Sequence, residues 1–308
     1  MSVQITTAFV EQYRNNVELL VQQRGSKLRD LVNSDTAIVG KQKFTEQIGS
    51  TEAQKRLSRH SDSPLVNVPH QRRAYSMADY EWGDLVDKQD KLRMLIDPTS
   101  TYAQAAAFAM GRAMDDVIIS AATGTAFGGV DGTTDFTLPS TQKVAVNYND
   151  VDNSSSTADI NLSIGKLRRT LEIFQENNVP EDEEKILVVS PNQIHALLTR
   201  KETTSGDFNA IRALVAGELD TFYGFRIVMS NRLAKSGNNR TCFAFVRSGL
   251  ELGIGQDVMA RIEERADKAF STYIYYCMTI GATRLEEEKV VEITCDESDF
   301  GGGDAATV

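Results

Sequence analysis

Apolar residues recur along this chain with several rhythms, and each predicts a different element. From Thr6 to Val32, the residues Phe9, Tyr13, Val17, Leu20, Leu28, Leu31 and Val32 follow helical spacing that breaks around Gly25. No second helix of similar strength accompanies them, so the stretch reads as an arm that finds its partner elsewhere. Residues 40–80 lose the rhythm and turn polar and basic, with Pro64 and Pro69 inside Ser-Asp-Ser-Pro-Leu-Val-Asn-Val-Pro-His. Prolines remove donors and extend their neighbours, which predicts an edge hairpin or a long excursion instead of a central strand. A polar excursion of about 40 residues is unusual in a compact monomer, and such lengths mark function or disorder.

After Asp97-Pro98-Thr99-Ser100, where Asp97 or Thr99 can cap, Tyr102, Ala106, Met110, Ala113, Val117 and Ala121 recur at steps of three and four. This predicts an alanine-rich helix about 30 Å long, stopped by Gly124 and able to approach a sheet closely, as a backbone for a whole domain. Residues 133–158, rich in Thr, Ser, Asn and Asp, predict a domain boundary. Beyond residue 158 helices and strands alternate. Ile160, Ile164, Leu167, Leu171 and Phe174 predict an amphipathic helix, and Lys185–Val189 a short buried strand. Ser190-Pro191 starts a helix through Ile194, Leu197 and Leu198. A helix over Phe208–Ala216, a strand over Phe225–Met229 and strand-like segments at 241–247, 250–254 and 258–263 follow. Residues 271–295 alternate aromatic and β-branched positions, which predicts a hairpin or paired strands, and 299–308 read as a loose tail.

The chain has 308 residues, of which 41% are hydrophobic and 25% charged, the profile of a globular protein with a real core and not of a disordered chain. No run of 18 uncharged apolar residues appears, and the first residues lack the pattern of a secretory signal, so no membrane partner is expected. With 33 basic and 43 acidic residues the net charge is -10, which argues against coating nucleic acid. Cys242, Cys277 and Cys295 are odd in number and lack CxxC spacing, which fits core thiols in a reducing compartment.

The charge is unevenly placed. Residues 41–73 carry seven basic residues against three acidic ones, whereas 286–304 carry eight acidic residues and only Lys289. Two such segments could attract each other between copies of the chain, or remain two solvated faces. Candidate chemistry is sparse. Gly124–Gly132 is glycine-rich, but it follows a helix and ends in no Gly-Lys-Ser/Thr, unlike a phosphate loop. The adjacent Asp115 and Asp116 diverge on a helix and make a poor acid pair. The acidic turn Glu181–Glu184 reads as solvated, and His195 as a packing or surface residue. His60 and His70 flank the basic excursion, where they could tune an interface with pH. No nucleophile elbow, zincin, Walker or dinucleotide motif occurs, so no catalytic residue, metal or cofactor is assigned.

Taken in order, the arm, the basic excursion, the Tyr80-Glu-Trp82-Gly-Asp-Leu-Val86 strand, the Leu92–Pro98 segment, the 102–123 spine and Gly-Phe-Arg-Ile-Val-Met-Ser-Asn231 resemble the plan of a tailed-bacteriophage major capsid protein with the HK97-type fold. That α+β resemblance implies an N-terminal arm (1–55) and an extended loop lying over a neighbouring subunit (56–80). It further implies a peripheral domain with the spine helix (81–150 and 271–298), an axial domain (151–270) and a flexible tail (299–308). It implies a homo-oligomer of hexamers and pentamers forming an icosahedral shell around weakly contacted double-stranded DNA. Such a chain would sit in the virion capsid, and in the host cytoplasm during assembly. Arg56, Arg59, Arg72 and Arg73, with Pro64 and Pro69, are the expected inter-subunit contacts of the loop, and Glu286, Glu287 and Glu288 a possible acidic partner surface. About 55 residues precede the loop, which favours a separate scaffolding protein, and a portal is the other expected partner. No residue trio for covalent crosslinking is identified. The competing readings are an encapsulin-like nanocompartment shell of the same fold, an α/β enzyme using 151–270, and a tail-tube or decoration protein.

Overall fold

The computed structural model describes residues 22–36, 38–55, 58, 65–87, 99–149, 154, 155, 158–199 and 221–298. In chain order its elements are β1 (Asn33–Thr36), β2 (Gln42–Ile48), β3 (His70–Ser76), β4 (Ala78–Val86), α1 (Thr99–Thr123), β5 (Ala126–Gly128), β6 (Thr134–Phe136), β7 (Lys143–Val144), β8 (Tyr148–Asn149) and β9 (Ser154–Ser155). There follow α2 (Ile164–Glu176), β10 (Lys185–Val189), α3 (Pro191–Thr199), β11 (Thr221–Phe222), β12 (Phe225–Met229), β13 (Lys235–Ser236), β14 (Asn239–Val246), β15 (Leu250–Arg265), β16 (Ser271–Arg284) and β17 (Val290–Asp296).

One sheet is built on the long hairpin β15–β16 and has the order β1-β15-β16-β4. The pairing runs from Leu250 opposite Arg284 to Arg265 opposite Ser271, with register shifts at Ile254/Gln256 and Gln256/Met259. The segments read separately at 250–254 and 258–263 are therefore one strand with a bulge between them. Helix α1 packs mainly on β16. It starts and stops as its sequence predicts, but its buried stripe is Ala106, Met110, Met114, Ile118 and Ala122. Ala113 and Val117 only flank that stripe, because i, i+4 spacing sets the contact line here.

The second sheet has the order β11-β12-β10-β14-β17-β7, with β13 paired to β14. Strand β10, buried along its whole length, is a central strand with β12 parallel on one side and β14 antiparallel on the other. Helix α2 begins at Ile164, where the Ser163 hydroxyl caps the N–H of Lys166 at 3.3 Å. It cannot begin at Ile160, whose carbonyl accepts from the Asp296 N–H at 3.1 Å and from Lys166 Nζ at 2.8 Å. Helix α3 starts at Pro191 and leaves His195 exposed.

Residues 271–295 do not form a hairpin with themselves. The turn at 285–289 carries the chain from β16 in the first sheet to β17 in the second, where β17 pairs with β14 and β7. Sheet membership also crosses the expected domain ranges, since β15 pairs within the spine-helix sheet and β17 within the β10 sheet. Cys242 and Cys295 are fully buried, and Cys277 is half-buried. The early arm, Leu92–Pro98, the Phe208–Ala216 helix and the 299–308 tail lie outside the described residues. No helix among the described residues is long and apolar enough to cross a membrane.

Just past β17, Glu297 ties the chain to the second sheet. It is buried and accepts from Arg240 Nε at 2.8 Å and from Lys235 Nζ at 2.5 Å. Burial opposes its ionisation, but hydrogen bonds from Arg240, Lys235 and Gln193 outweigh that and bring the carboxyl down to about 2. A carboxylate held below its unfolded value of about 4.3 contributes stability that is fully present above that pH and is lost as pH falls towards 2. Glu297→Gln is expected to destabilise the unassembled chain by about 1–3 kcal/mol at near-neutral pH. Urea unfolding should also show a shallower loss of stability below about pH 4 than the parent chain; identical slopes would refute this role.

Candidate inter-subunit surface

The basic excursion is a hairpin. Strands β2 and β3 pair antiparallel from Gln42 opposite Ser76 to Ile48 opposite His70, and β5 and β6 extend the sheet from β3. The glycine run after α1 serves this sheet. A Cβ on Gly128 would lie 2.3 Å from the Arg72 carbonyl oxygen, and Gly129, at φ +83°, donates to that same oxygen at 3.0 Å. Backbone packing, not phosphate binding, accounts for these glycines.

Period-two alternation gives the hairpin two unlike faces. The inner face is held by polar contacts. Thr45 Oγ1 donates to Glu251 at 2.9 Å, and Gln47 Nε2 and Arg73 Nε both donate to the Leu285 carbonyl at 3.0 Å. Tyr75, beside Glu251, is buried, and burial together with that carboxylate pushes its phenol up. Arg73 is 2% exposed, pairs with Glu287 at 2.5 Å and lies over the Phe136 ring at 3.8 Å.

Glu287 also faces Arg284 at 3.8 Å. Arg284 has no exposed surface and donates to the carbonyls of Ala122 at 2.9 Å, Gly124 at 2.8 Å and Phe136 at 2.9 Å. Burial is the main influence on its guanidinium and lowers its pKa.

The expected contact residues thus separate. Arg73 and Glu287, assigned to opposite sides of an interface between subunits, are paired inside one chain. Glu286 likewise closes on Lys289 at 3.0 Å, while Glu288 stays exposed. Arg72 is on the outer face, paired with Glu46 at 2.6 Å and 5.4 Å above the Phe44 ring. Pro69 is exposed and its carbonyl accepts from Gly49 at 2.8 Å, which closes the hairpin at its far end. Arg56, Arg59, His60 and Pro64 lie outside the described residues. Towards the tip, Ile48, Leu65, Val66, Val68 and Val130 are exposed, Leu65 at 96%. Val130 also lines a cavity of about 520 Å³ with Glu46, His70, Gln71, Arg72, Gly129 and Phe136.

Sequence reasoning missed Arg284, Glu251 and Thr45. Arg284 left a signal: Ile274, Met278, Ile280 and Ala282 share its parity along β16, and the first three are fully buried, so alternation sends residue 284 inward. Among the described residues no three of His, Cys, Asp or Glu are grouped to hold a metal. Removing the charge at Glu287 leaves two buried guanidinium groups without their shared counter-charge. Glu287→Gln is expected to cost about 3–5 kcal/mol in urea unfolding of the unassembled chain; a loss below about 1 kcal/mol, the range of exposed pairs, would show the node to be dispensable.

The geometry has counterparts. The capsid of cyanophage P-SCSP1u superposes with a TM-score of 0.72 at 17% identity, covering 94% of each chain. The capsid of Ralstonia phage GP4 does so at 0.71 and 11% identity, over 94% of this chain and 95% of that one. The capsid of an empty GTA particle matches at 0.68 and 11% identity, over 96% and 98%. No curated protein sequence matches the chain. The family described as phage capsid protein matches residues 5–297. With an α1 spine laid on a bulged hairpin sheet, a second sheet flanked by α2 and α3, and a projecting β2–β3 hairpin, the chain belongs to the phage capsid protein family and has the HK97-type fold.

Proposed function

We propose that this chain, a structural capsid protein, self-assembles into hexamers and pentamers of an icosahedral shell enclosing phage DNA, and that the β2–β3 hairpin tip is the part that lies on a neighbouring subunit. The observation that carries this reading is the contrast within one hairpin. Its inner face is anchored by Arg73, Thr45 and Gln47, while Ile48 on the outer face and Leu65, Val66 and Val68 beyond the paired strands are held out to solvent. Exposed apolar side chains on a rigid projection are the mark of a surface awaiting a partner.

In this reading the expected boundary at residue 55 moves back: the arm ends before β2 and the extended loop is the β2–β3 hairpin, residues 42–76, with its far end carrying the inter-subunit contact. The peripheral domain is built from α1, β4, β15 and β16. The axial domain is the second sheet with α2 and α3, so that strand pairing moves β15 to the former and β17 to the latter. Arg72 at the outer face and Glu288 at the 285–289 turn remain the charged contacts to offer, with Arg56 and Arg59. A net charge of -10 suits a lining that tolerates DNA without gripping it. A portal and a separate scaffolding protein are the partners this shell would need.

Negative-stain electron microscopy of the purified chain, with light scattering on the same sample, tests the reading. Closed shells, or sheets and tubes of hexameric units, are expected; a uniform monomer or dimer that persists at high concentration and with crowding agent would count against it. For the loop, Pro64→Gly with Pro69→Gly is expected to weaken or derange assembly while unfolding of the unassembled chain stays normal. Unchanged shells would remove the loop from the interface.

A further inference from the structure

Two adjacent carboxylates on α1 hold two different parts of the molecule. Asp115 is fully buried and accepts from Gln23 Nε2 at 2.5 Å, from the Ser26 hydroxyl at 2.6 Å and from the main-chain N–H groups of Lys27 and Leu28 at 3.1 Å. Gly111, one turn earlier on the same face, lets the arm come close, since a Cβ there would lie 2.5 Å from the Gly25 carbonyl carbon. Gly25 itself sits at φ +74°, which breaks the helical rhythm and turns the chain so that Leu28, Leu31 and Val32 enter the core. Arg112 adds a bond to Gln22 Oε1 at 2.8 Å.

Asp116 points about 100° away round the helix. It forms a two-point ion pair with Arg232 in the turn that follows β12. That turn is fastened to the second sheet, because Ser230 N–H donates to the Val189 carbonyl at 2.9 Å and Arg232 N–H to the Ser230 hydroxyl at 3.3 Å. The third side is closed by Lys27 Nζ, which donates to the Met229 carbonyl at 2.8 Å. Segment 22–32, the helical turn 111–116 and the turn 229–232 therefore each touch the other two.

We infer that this triangle is a relay that couples docking of the arm segment to placement of the second sheet against the spine. A displacement of segment 22–32 removes the Lys27 contact from Met229 and loosens the Asp115 side of α1. A shift of the 229–232 turn loads the same helical turn through Asp116. Coupling of this kind is reciprocal: whatever holds one segment strengthens the other. The relay rests on contacts within one chain and goes beyond the shell reading. In an assembling particle it would let an event at the arm be felt in the second sheet without any contact between the arm and that sheet's far edge.

Hydrogen exchange on the full, unassembled chain decides it. Arg232→Gln removes an exposed ion pair, leaves the core intact and touches no atom of segment 22–32. The relay predicts that it speeds exchange at the Lys27, Leu28 and Arg29 amides by about five-fold or more, the lower end of ordinary coupling. Asp115→Asn should act in the other direction and speed exchange at Ser230 and Arg232. Wild-type exchange at residues 27–29 in Arg232→Gln, with changes confined to residues 230–233, would overturn the inference.

Discussion

Arg284 constrains everything around it. A guanidinium removed entirely from water must find acceptors and a counter-charge, because an unpaired buried charge is among the costliest things a fold can contain. Its partners come from four places: the last turn of α1 at Ala122, the chain just beyond it at Gly124, the end of β6 at Phe136 and the Glu287 carboxylate after β16. Satisfying one side chain therefore fixes the relative positions of the spine helix, the glycine-rich hairpin and the 285–289 turn. The carbonyls of a helix end lack partners within the helix and carry its negative pole, so a cation at this point removes two difficulties together. Arg73 joins the same node through Glu287 and brings the base of the β2–β3 hairpin under the same constraint.

From that constraint follows the division of labour within the hairpin. Its inner face is spent on Glu251, Leu285 and Glu287, all within the chain. Its far end keeps apolar side chains, Ile48, Leu65, Val66 and Val68, exposed to solvent. A projection of this kind needs a stiff root, since a loosely held one would lose much of its binding energy to ordering on contact. The buried node supplies the stiffness, and the tip is the surface that the proposed assembly would cover.

Much of the framework was legible because it is local. The spine helix, β10, α3 and β12 are set by periodicity, a stop signal at Gly124 and a proline start at Pro191, all readable within a few residues. The failures are non-local. That β16 and β17 serve different sheets is decided by the turn at 285–289 and by the partners β4 and β14, which lie far away in sequence. The bulge in β15 looked like a gap between strands, because a register shift and a loop both interrupt alternation. The site was the least legible part. The basic excursion and acidic C-terminal stretch do attract each other, as their charges suggest, but Arg73 meets Glu287 inside one chain. Charge patterns identify complementary partners and carry no information on whether the two sit on one molecule or two.

That distinction changes what can hold a shell of these chains together. Several charges of the acidic stretch are already used within the subunit: Glu287 with Arg73 of the basic stretch, Glu286 with Lys289, and Glu297 with Lys235 and Arg240. The exposed apolar surface is mainly Ile48, Leu65, Val66 and Val68 of the hairpin, with Val130 from the β5–β6 turn. Attraction through such residues comes from water release, which salt does not screen, whereas exposed ion pairs weaken as salt rises and are worth little to begin with. An apolar contact is also tolerant of small changes in angle, since it has no bond direction to satisfy. In the proposed shell, subunits in non-equivalent positions would need that tolerance at the tip, and the buried Arg284 node would confine it there by keeping the root of the hairpin the same in every copy.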